Sequence, residues 1–287
     1  MPIFGAHMSI AGGLCRAPDE AVRFGCDTFQ MFTKSPSQWL GRDIPRSEVL
    51  DFRRRVEAAD LRFATVHDSY LINLASAHPD RLERSLAAFL HEICIADALG
   101  IHYLVTHPGA AVGSTELEAI SQIVDSLDRV IRQTPDTKIA ILLETTAGQG
   151  TTLGWKFEHL ADILGGVERP DRFGVCLDTC HVFAAGYDLR TPDTWDATIA
   201  SFDEIIGLGR LKLFHLNDSK KGLGSRVDRH EHLGRGQIGE AAFARIVNDP
   251  RFADLPMILE TPKSDGDNDE MDFVNLGVLR RLLAVNR

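Results

Sequence analysis

The sequence predicts a single-domain α/β fold over residues 1–287, a (β/α)8 TIM barrel, and three observations carry that expectation. Eight short apolar runs rich in β-branched and aromatic residues recur along the chain. Stretches of helical period separate most of them, which implies parallel strands joined by helical crossovers. No GxGxxG string follows the first run, which counts against an open doubly wound sheet.

The runs span residues 3–7, 28–32, 62–67, 102–107, 138–144, 173–178, 211–215 and 257–260, and their ends lie 25 to 45 residues apart. That spacing holds a loop, a helix and a return loop. After the third run, Pro79 opens an amphipathic segment that reaches Leu99 and stops at Gly100. After the fourth, Thr115 and Glu118 have capping-box spacing ahead of a segment ending near Gln133. After the sixth, Thr191 and Pro192 mark another helix start. Proline opening and glycine closing are the usual helix punctuation. The loops at 33–45 and 216–238 are long for this architecture, and long loops tend to carry function.

With 44% hydrophobic and 25% charged residues the chain is neither disordered nor collagen-like. Its 41 acidic and 31 basic side chains leave a formal charge of −10, which argues against a nucleic-acid partner as long as the carboxylates are bare. Five cysteines with no CxxC pair read as reduced thiols. No basic segment precedes an apolar stretch at the start, and no run approaches a membrane span, so a soluble, cytoplasmic protein is expected. The acidic segment 265–272 has Glu270 where a calcium loop needs glycine, so it reads as a solvated loop. GRGQIG at 234–239 matches GxGxxG formally, but it follows a loop and reads as a tight turn.

Seven of the eight runs end on an imidazole or carboxylate: His7, His67, His107, Glu144, Asp178, His215 and Glu260. In a barrel all strand C-termini meet on one face, so these side chains ring one site. Packing does not demand a titratable group at the same place in successive units, and burying one without a partner is costly. The string DTCH adds His181 three residues beyond Asp178, and VDRHEH supplies Asp228, His230 and His232 from the long seventh loop. His67, His107, Glu144, Asp178, His181, His215, Asp228, His230 and Glu260 make nine candidate metal ligands. One four-coordinate ion needs at most four, so nine imply two or three ions with a bridging carboxylate. Nitrogen and carboxylate donors favour zinc, with manganese possible, and Cys176 is read as core.

At these residues the sequence resembles the endonuclease IV family of apurinic/apyrimidinic endonucleases (deoxyribonuclease IV). The strings are GAHMSIAGGL at 5–14, FTK at 32–34, HDSYLINL at 67–74, HPG at 107–109 and ETTAGQG at 144–150. GVCLDTCHVFAAGYDLRTP at 174–192, HLND at 215–218, GSRVDRH at 224–230 and LET at 259–261 complete them. The resemblance implies a DNA base excision repair enzyme with three zinc ions that cuts damaged double-stranded DNA 5′ to an abasic site, leaving a 3′-hydroxyl and a 5′-deoxyribose phosphate. It implies that His67, His107 and Glu144 hold one ion, that Glu144, Asp178, His215 and Glu260 hold a second, and that His181, Asp228 and His230 bind the third. Glu144 is then the bridging ligand and the group that holds or deprotonates the attacking water.

The resemblance also places Tyr70 and Leu71 as a wedge entering the duplex. Lys34, Gln38, Arg226 and Arg229 are read as DNA contacts, and His7 as lying behind a ligand or on a phosphate. Ser37 stands where the family commonly has arginine ahead of Gln-Trp. Residues 210–235 carry seven basic side chains against three acidic ones, which suits phosphate tracking. A monomer with no obligate protein partner is expected. The competing readings are a metal-dependent sugar isomerase or epimerase on a related barrel and a non-catalytic, metal-stabilised DNA-binding scaffold.

Overall fold

The computed structural model describes residues 2–268 and 270–284. Its strands are β1 (Ile3–Met8), β2 (Thr28–Phe32), β3 (Thr65–His67), β4 (Tyr103–Thr106), β5 (Ala140–Glu144), β6 (Phe173–Asp178), β7 (Leu211–His215), β8 (Asp218–Ser219), β9 (His230–Glu231) and β10 (Pro256–Leu259). All but β8 and β9 close into one barrel in the order β1-β10-β7-β6-β5-β4-β3-β2, and every barrel pairing is parallel. β8 and β9 form an antiparallel hairpin inside the long seventh loop.

Helices α1 (Arg16–Arg23), α2 (Arg46–Ala58), α3 (Pro79–Leu99), α4 (Glu116–Gln133), α5 (Phe157–Gly166), α7 (Pro192–Ile205), α8 (Glu240–Asn248) and α9 (Met271–Ala284) alternate with the strands. The short α6 (Thr179–Ala185) starts directly at the end of β6. Thr115 caps α4 with the expected box, its hydroxyl receiving the Glu118 N–H while the Glu118 carboxylate receives the Thr115 N–H. The third run was expected to start at 62. It becomes regular strand only at Thr65, because Phe63 adopts a left-handed φ of 52°.

Two-residue alternation sorts the strand side chains into two environments. Phe29 and Met31, Ile141 and Leu143, Val175 and Leu177, and Met257 and Leu259 face the helices in the main core. Val105, Leu142, Cys176, Leu213 and Ile258, with Tyr103 against them, fill the barrel interior as a separate cluster. His107, Glu144, Asp178, His215 and Glu260 each lie two residues after a member of that cluster. They therefore form the next layer up, at the C-terminal mouth. Gly5 shares the inward parity of His7, and a Cβ there would lie 2.2 Å from the Thr28 carbonyl oxygen. Gly5→Ala is expected to cost about 1–3 kcal/mol, the usual range for overpacking, seen as a lower midpoint in urea unfolding. An unchanged midpoint would mean that β1 and β2 spread without penalty.

Candidate metal centre

Glu144, the last residue of β5, is fully buried at 0% exposure and sits among four imidazoles. Its Oε2 lies 3.0 Å from His67 Nε2 and 3.1 Å from His107 Nε2. Its Oε1 lies 2.8 Å from His215 Nδ1 and 3.3 Å from His181 Nδ1. A carboxylate with His67 and His107 at one oxygen and His215 at the other can bridge two cations, while His181 Nδ1 is taken up by the Thr145 carbonyl. Burial alone would raise the Glu144 pKa, yet His215, His107 and His181 hold it well below the usual range. Burial likewise pulls His67 down, but Glu144 reverses this and lifts it to about 10.

The remaining expected ligands assemble around this carboxylate. Glu260 Oε2 is 3.3 Å and Asp178 Oδ2 3.9 Å from His215 Nδ1. Asp228 reaches His181 Nε2 at 3.2 Å and His230 Nε2 at 3.3 Å, while His230 Nε2 is 3.6 Å from Asp178. Among the described residues, donor atoms of His67, His107 and Glu144 converge within 4.8 Å of one another, as do those of Glu144, Asp178, His215 and Glu260, and those of Asp178, His181 and His230. Cys176 and Cys180 also lie near these donors, but burial pushes both thiols up to about 12, so they pack as neutral groups.

The polypeptide presets these side chains. Asp178 N-caps α6, accepting the His181 N–H at 2.8 Å, and its other oxygen accepts from Asn217 Nδ2 at 2.6 Å. Imidazoles at three positions donate Nδ1–H to backbone carbonyls: His67 to Asp68 at 2.9 Å, His181 to Thr145 at 2.8 Å and His230 to Glu260 at 3.1 Å. Their Nε2 atoms are left facing carboxylates, the arrangement that metal-binding histidines need.

A family model described as Xylose isomerase-like TIM barrel matches residues 18–280. A protein named "Probable endonuclease 4" from Geotalea daltonii is 50% identical over 279 residues, 97% of both chains. This chain belongs to the endonuclease IV family. The crystal structure of endonuclease IV from Thermus thermophilus matches at TM-score 0.88 and 38% identity, covering 99% of this chain and 100% of that one. D-psicose 3-epimerase from Clostridium cellulolyticum matches at TM-score 0.71 but 14% identity, covering 98% of this chain and 99% of that one, and so shares the fold alone.

Around the endonuclease IV centre the expected DNA residues divide into exposed and buried groups. Tyr70 is 69% exposed, its ring edge-on to Phe32 and tilted against His67, with Leu71 half-buried beside it. Gln38 and Ser37 are exposed on the loop after β2. Arg226 is exposed with its guanidinium 3.7 Å from the centre of the Trp155 ring. Arg229 lines a 220 Å³ cavity with His107, Gln149, His181 and Asp228. Lys34 does not project to solvent as a DNA contact would. It is 5% exposed and its ammonium pairs with Glu92 of α3, where Thr33 also donates, so it anchors the loop after β2. Of the basic residues counted between 210 and 235, Arg210 and Lys212 donate to the carbonyls of Pro170 and Gly209 at the opposite end of β7, and Arg235 pairs with Asp265.

His7 lies 3.5 Å from the expected ligand Glu260, and burial lowers its pKa. His232 is buried against Asn275, outside the centre. In the acidic 265–272 segment, residue 269 lies outside the described residues, and Asp272 is tied to Lys263. Three residues central to this endonuclease IV site were not read from the sequence: Gln30, Asn217 and Asp218. Asn217 continues the inward parity of His215, a signal that was available. GRGQIG is indeed a turn, and it wraps the buried carboxylate of Asp218. The backbone N–H groups of Ser219, Gly234, Gly236, Ile238 and Gly239 all donate to it. A Cβ on Gly236 would lie 2.4 Å from Asp218 Oδ1, so only glycine admits this approach.

Two outcomes are expected. Asp218→Ala leaves those N–H groups without an acceptor and should cost on the order of 3 kcal/mol while opening residues 219–239 to protease nicking. An unchanged digestion pattern would mean that the loop holds itself. In metal-free protein His67 is raised from 6.5 to about 10, and His181 and His215 shift the same way. A pKa raised by folding contributes stability below the unfolded value and loses it as pH climbs through the folded one. Chelator-treated protein should therefore lose thermal stability between pH 6.5 and about 10, and metal-loaded protein should resist because cations replace the protons. A flat profile for the chelated protein across that window would count against this charge arrangement.

Proposed function

We propose that this chain is a metal-dependent DNA repair endonuclease that hydrolyses the phosphodiester 5′ to an abasic site in duplex DNA, leaving a 3′-hydroxyl and a 5′-deoxyribose phosphate. The observation that carries this reading is the buried Glu144 carboxylate, with His67 and His107 at one oxygen and His215 at the other, in a chain half identical to proteins named endonuclease 4. The donor set fits zinc: oxygen and imidazole donors in three groups, with the nearby thiols neutral. His67, His107 and Glu144 would hold one ion, Glu144 with Asp178, His215 and Glu260 a second, and His181, Asp228 and His230 a third. Manganese is compatible with the more carboxylate-rich positions. Bound there, divalent cations supply Lewis acidity that acidifies water and offsets charge developing on phosphate oxygens.

The protein's own groups do the rest. Glu144 is placed to orient an attacking water and to take up its proton. Tyr70, on the rim beside Phe32 and His67, is positioned with Leu71 to enter the gap of an abasic site, where opening the stack costs least. Arg226, held flat on Trp155, and Arg229 beside the cavity offer charge to the phosphate backbone, while exposed Gln38 reaches from the loop after β2. Monomeric action fits a site built entirely from one chain. The epimerase reading loses weight because those neighbours share only the fold, and a non-catalytic scaffold has no need of a bridging carboxylate with so many open donors.

Incubation with a duplex carrying one abasic analogue should give a single nick 5′ to the lesion, lost with chelator and restored by zinc. Glu144→Ala should lower turnover by at least about 100- to 1,000-fold, the scale of removing one electrostatic element, in a protein that remains folded by circular dichroism. Cleavage that persisted in chelator, or near wild-type incision by the variant, would overturn the reading.

A further inference from the structure

We propose that Gln30 is a positioning residue of this centre: its side-chain amide selects the tautomer of His215 and orients Glu260, leaving His215 Nδ1 as the nitrogen free to bind a cation. The inference rests on the reading of His215 and Glu260 as metal ligands. Gln30 lies in the middle of β2, fully buried, opposite His7 in the β1 register. A buried amide is tolerated only when its donors and acceptor are matched, and here all are used. Nε2 donates to Glu260 Oε1 at 2.5 Å and to His7 Nδ1 at 3.0 Å, while Oε1 accepts from His215 Nε2 at 2.8 Å.

The orientation follows from chemistry. A carboxylate can only accept, so the amide nitrogen faces Glu260 and the amide oxygen faces His215. The His215 Nε2 must then carry its hydrogen, and Nδ1 turns toward Glu144 at 2.8 Å and Glu260 at 3.3 Å. His67, His181 and His230 have the reverse arrangement, with Nδ1 on a backbone carbonyl and Nε2 toward the carboxylates. No substitution removes a backbone carbonyl. Of these four imidazoles, His215 is thus the one whose orientation depends on a replaceable side chain. β2 ends in Phe32 without a titratable group, and its contribution to the site is this neutral amide one layer below.

The test uses wild-type protein and Gln30→Leu, with zinc as the probe. In zinc-loaded wild-type protein, heteronuclear NMR of the imidazoles should show a slowly exchanging Nε2–H on His215; a proton on Nδ1 instead would overturn the proposal without any variant. Q30L should lose that signal, shed zinc to a chelator at roughly 10- to 100-fold lower free-metal affinity, the usual effect of removing a partner of a metal-bound histidine, and lower kcat with KM for abasic duplex unchanged. If wild-type protein retains zinc and Q30L retains it equally, the inference about Gln30 fails while the metal reading stands. If wild-type protein binds no zinc, both fail together.

Discussion

The buried charge of Glu144 is the constraint on which the rest of the mouth depends. Removing a carboxylate from water costs several kcal/mol unless positive charge and hydrogen bonds replace the lost solvation. Here the replacement comes from imidazoles at or just beyond the ends of β3, β4, β6 and β7, so the barrel must bring four of its units to one point. Closure of the parallel sheet does this without strain, because equivalent positions of successive strands share a layer. The imidazoles can serve as protonated partners or as metal ligands, and in either state net positive charge must sit beside the carboxylate.

What could be read in advance follows from which interactions leave a local trace. The inward parity of a strand has period two, so His107, Glu144, Asp178, His215 and Glu260 announce themselves by standing two residues after apolar interior positions. His181 and Asp228 with His230 were legible because short spacing brings donors together whatever the tertiary fold. Gln30 was not: a neutral amide inside TFQMF has no period of its own, and its three partners come from β1, β7 and the end of β10. Lys34 was misplaced for a related reason. Nothing in FTK indicates that Glu92, far along the chain on α3, draws the ammonium inward. The glycine string at 234–239 shows the same limit in another form, since backbone N–H groups that could cradle a phosphate are occupied by the protein's own Asp218.

Shared architecture with sugar epimerases means that the barrel itself carries little functional information. The difference lies in the loops. The 216–238 segment folds into the β8–β9 hairpin and carries Asp228 and His230 to His181, adding a third donor group beyond the pair organised by Glu144. Asp218 holds that segment at its root, so a buried carboxylate outside the donor groups secures Asp228 and His230, which would bind a cation. The segments after β2 and β3 place an aromatic ring and polar side chains on the rim, and the Lys34–Glu92 pair ties the first of these to α3. An exposed tyrosine at the lip would suit the proposed substrate, since a duplex with a missing base presents a gap that such a ring could fill.

Net charge then takes on a different meaning. A value of −10 would repel a polyanion if spread evenly, yet Glu144, Asp178, Asp228 and Glu260 are concentrated at the mouth, where the phosphate must approach. Three divalent ions would offset six of those ten negative charges and would do so entirely at the mouth. Much of the remaining acidity pairs with arginine on the helices, as in Asp19 and Asp51 with Arg55, Glu168 with Arg132 and Glu240 with Arg281, exposed pairs that contribute little stability. The same cations that would drive hydrolysis thus also decide whether DNA can come near the site. On the proposed reading, binding and chemistry would share one electrostatic cause, which a metal-free barrel of this sequence lacks.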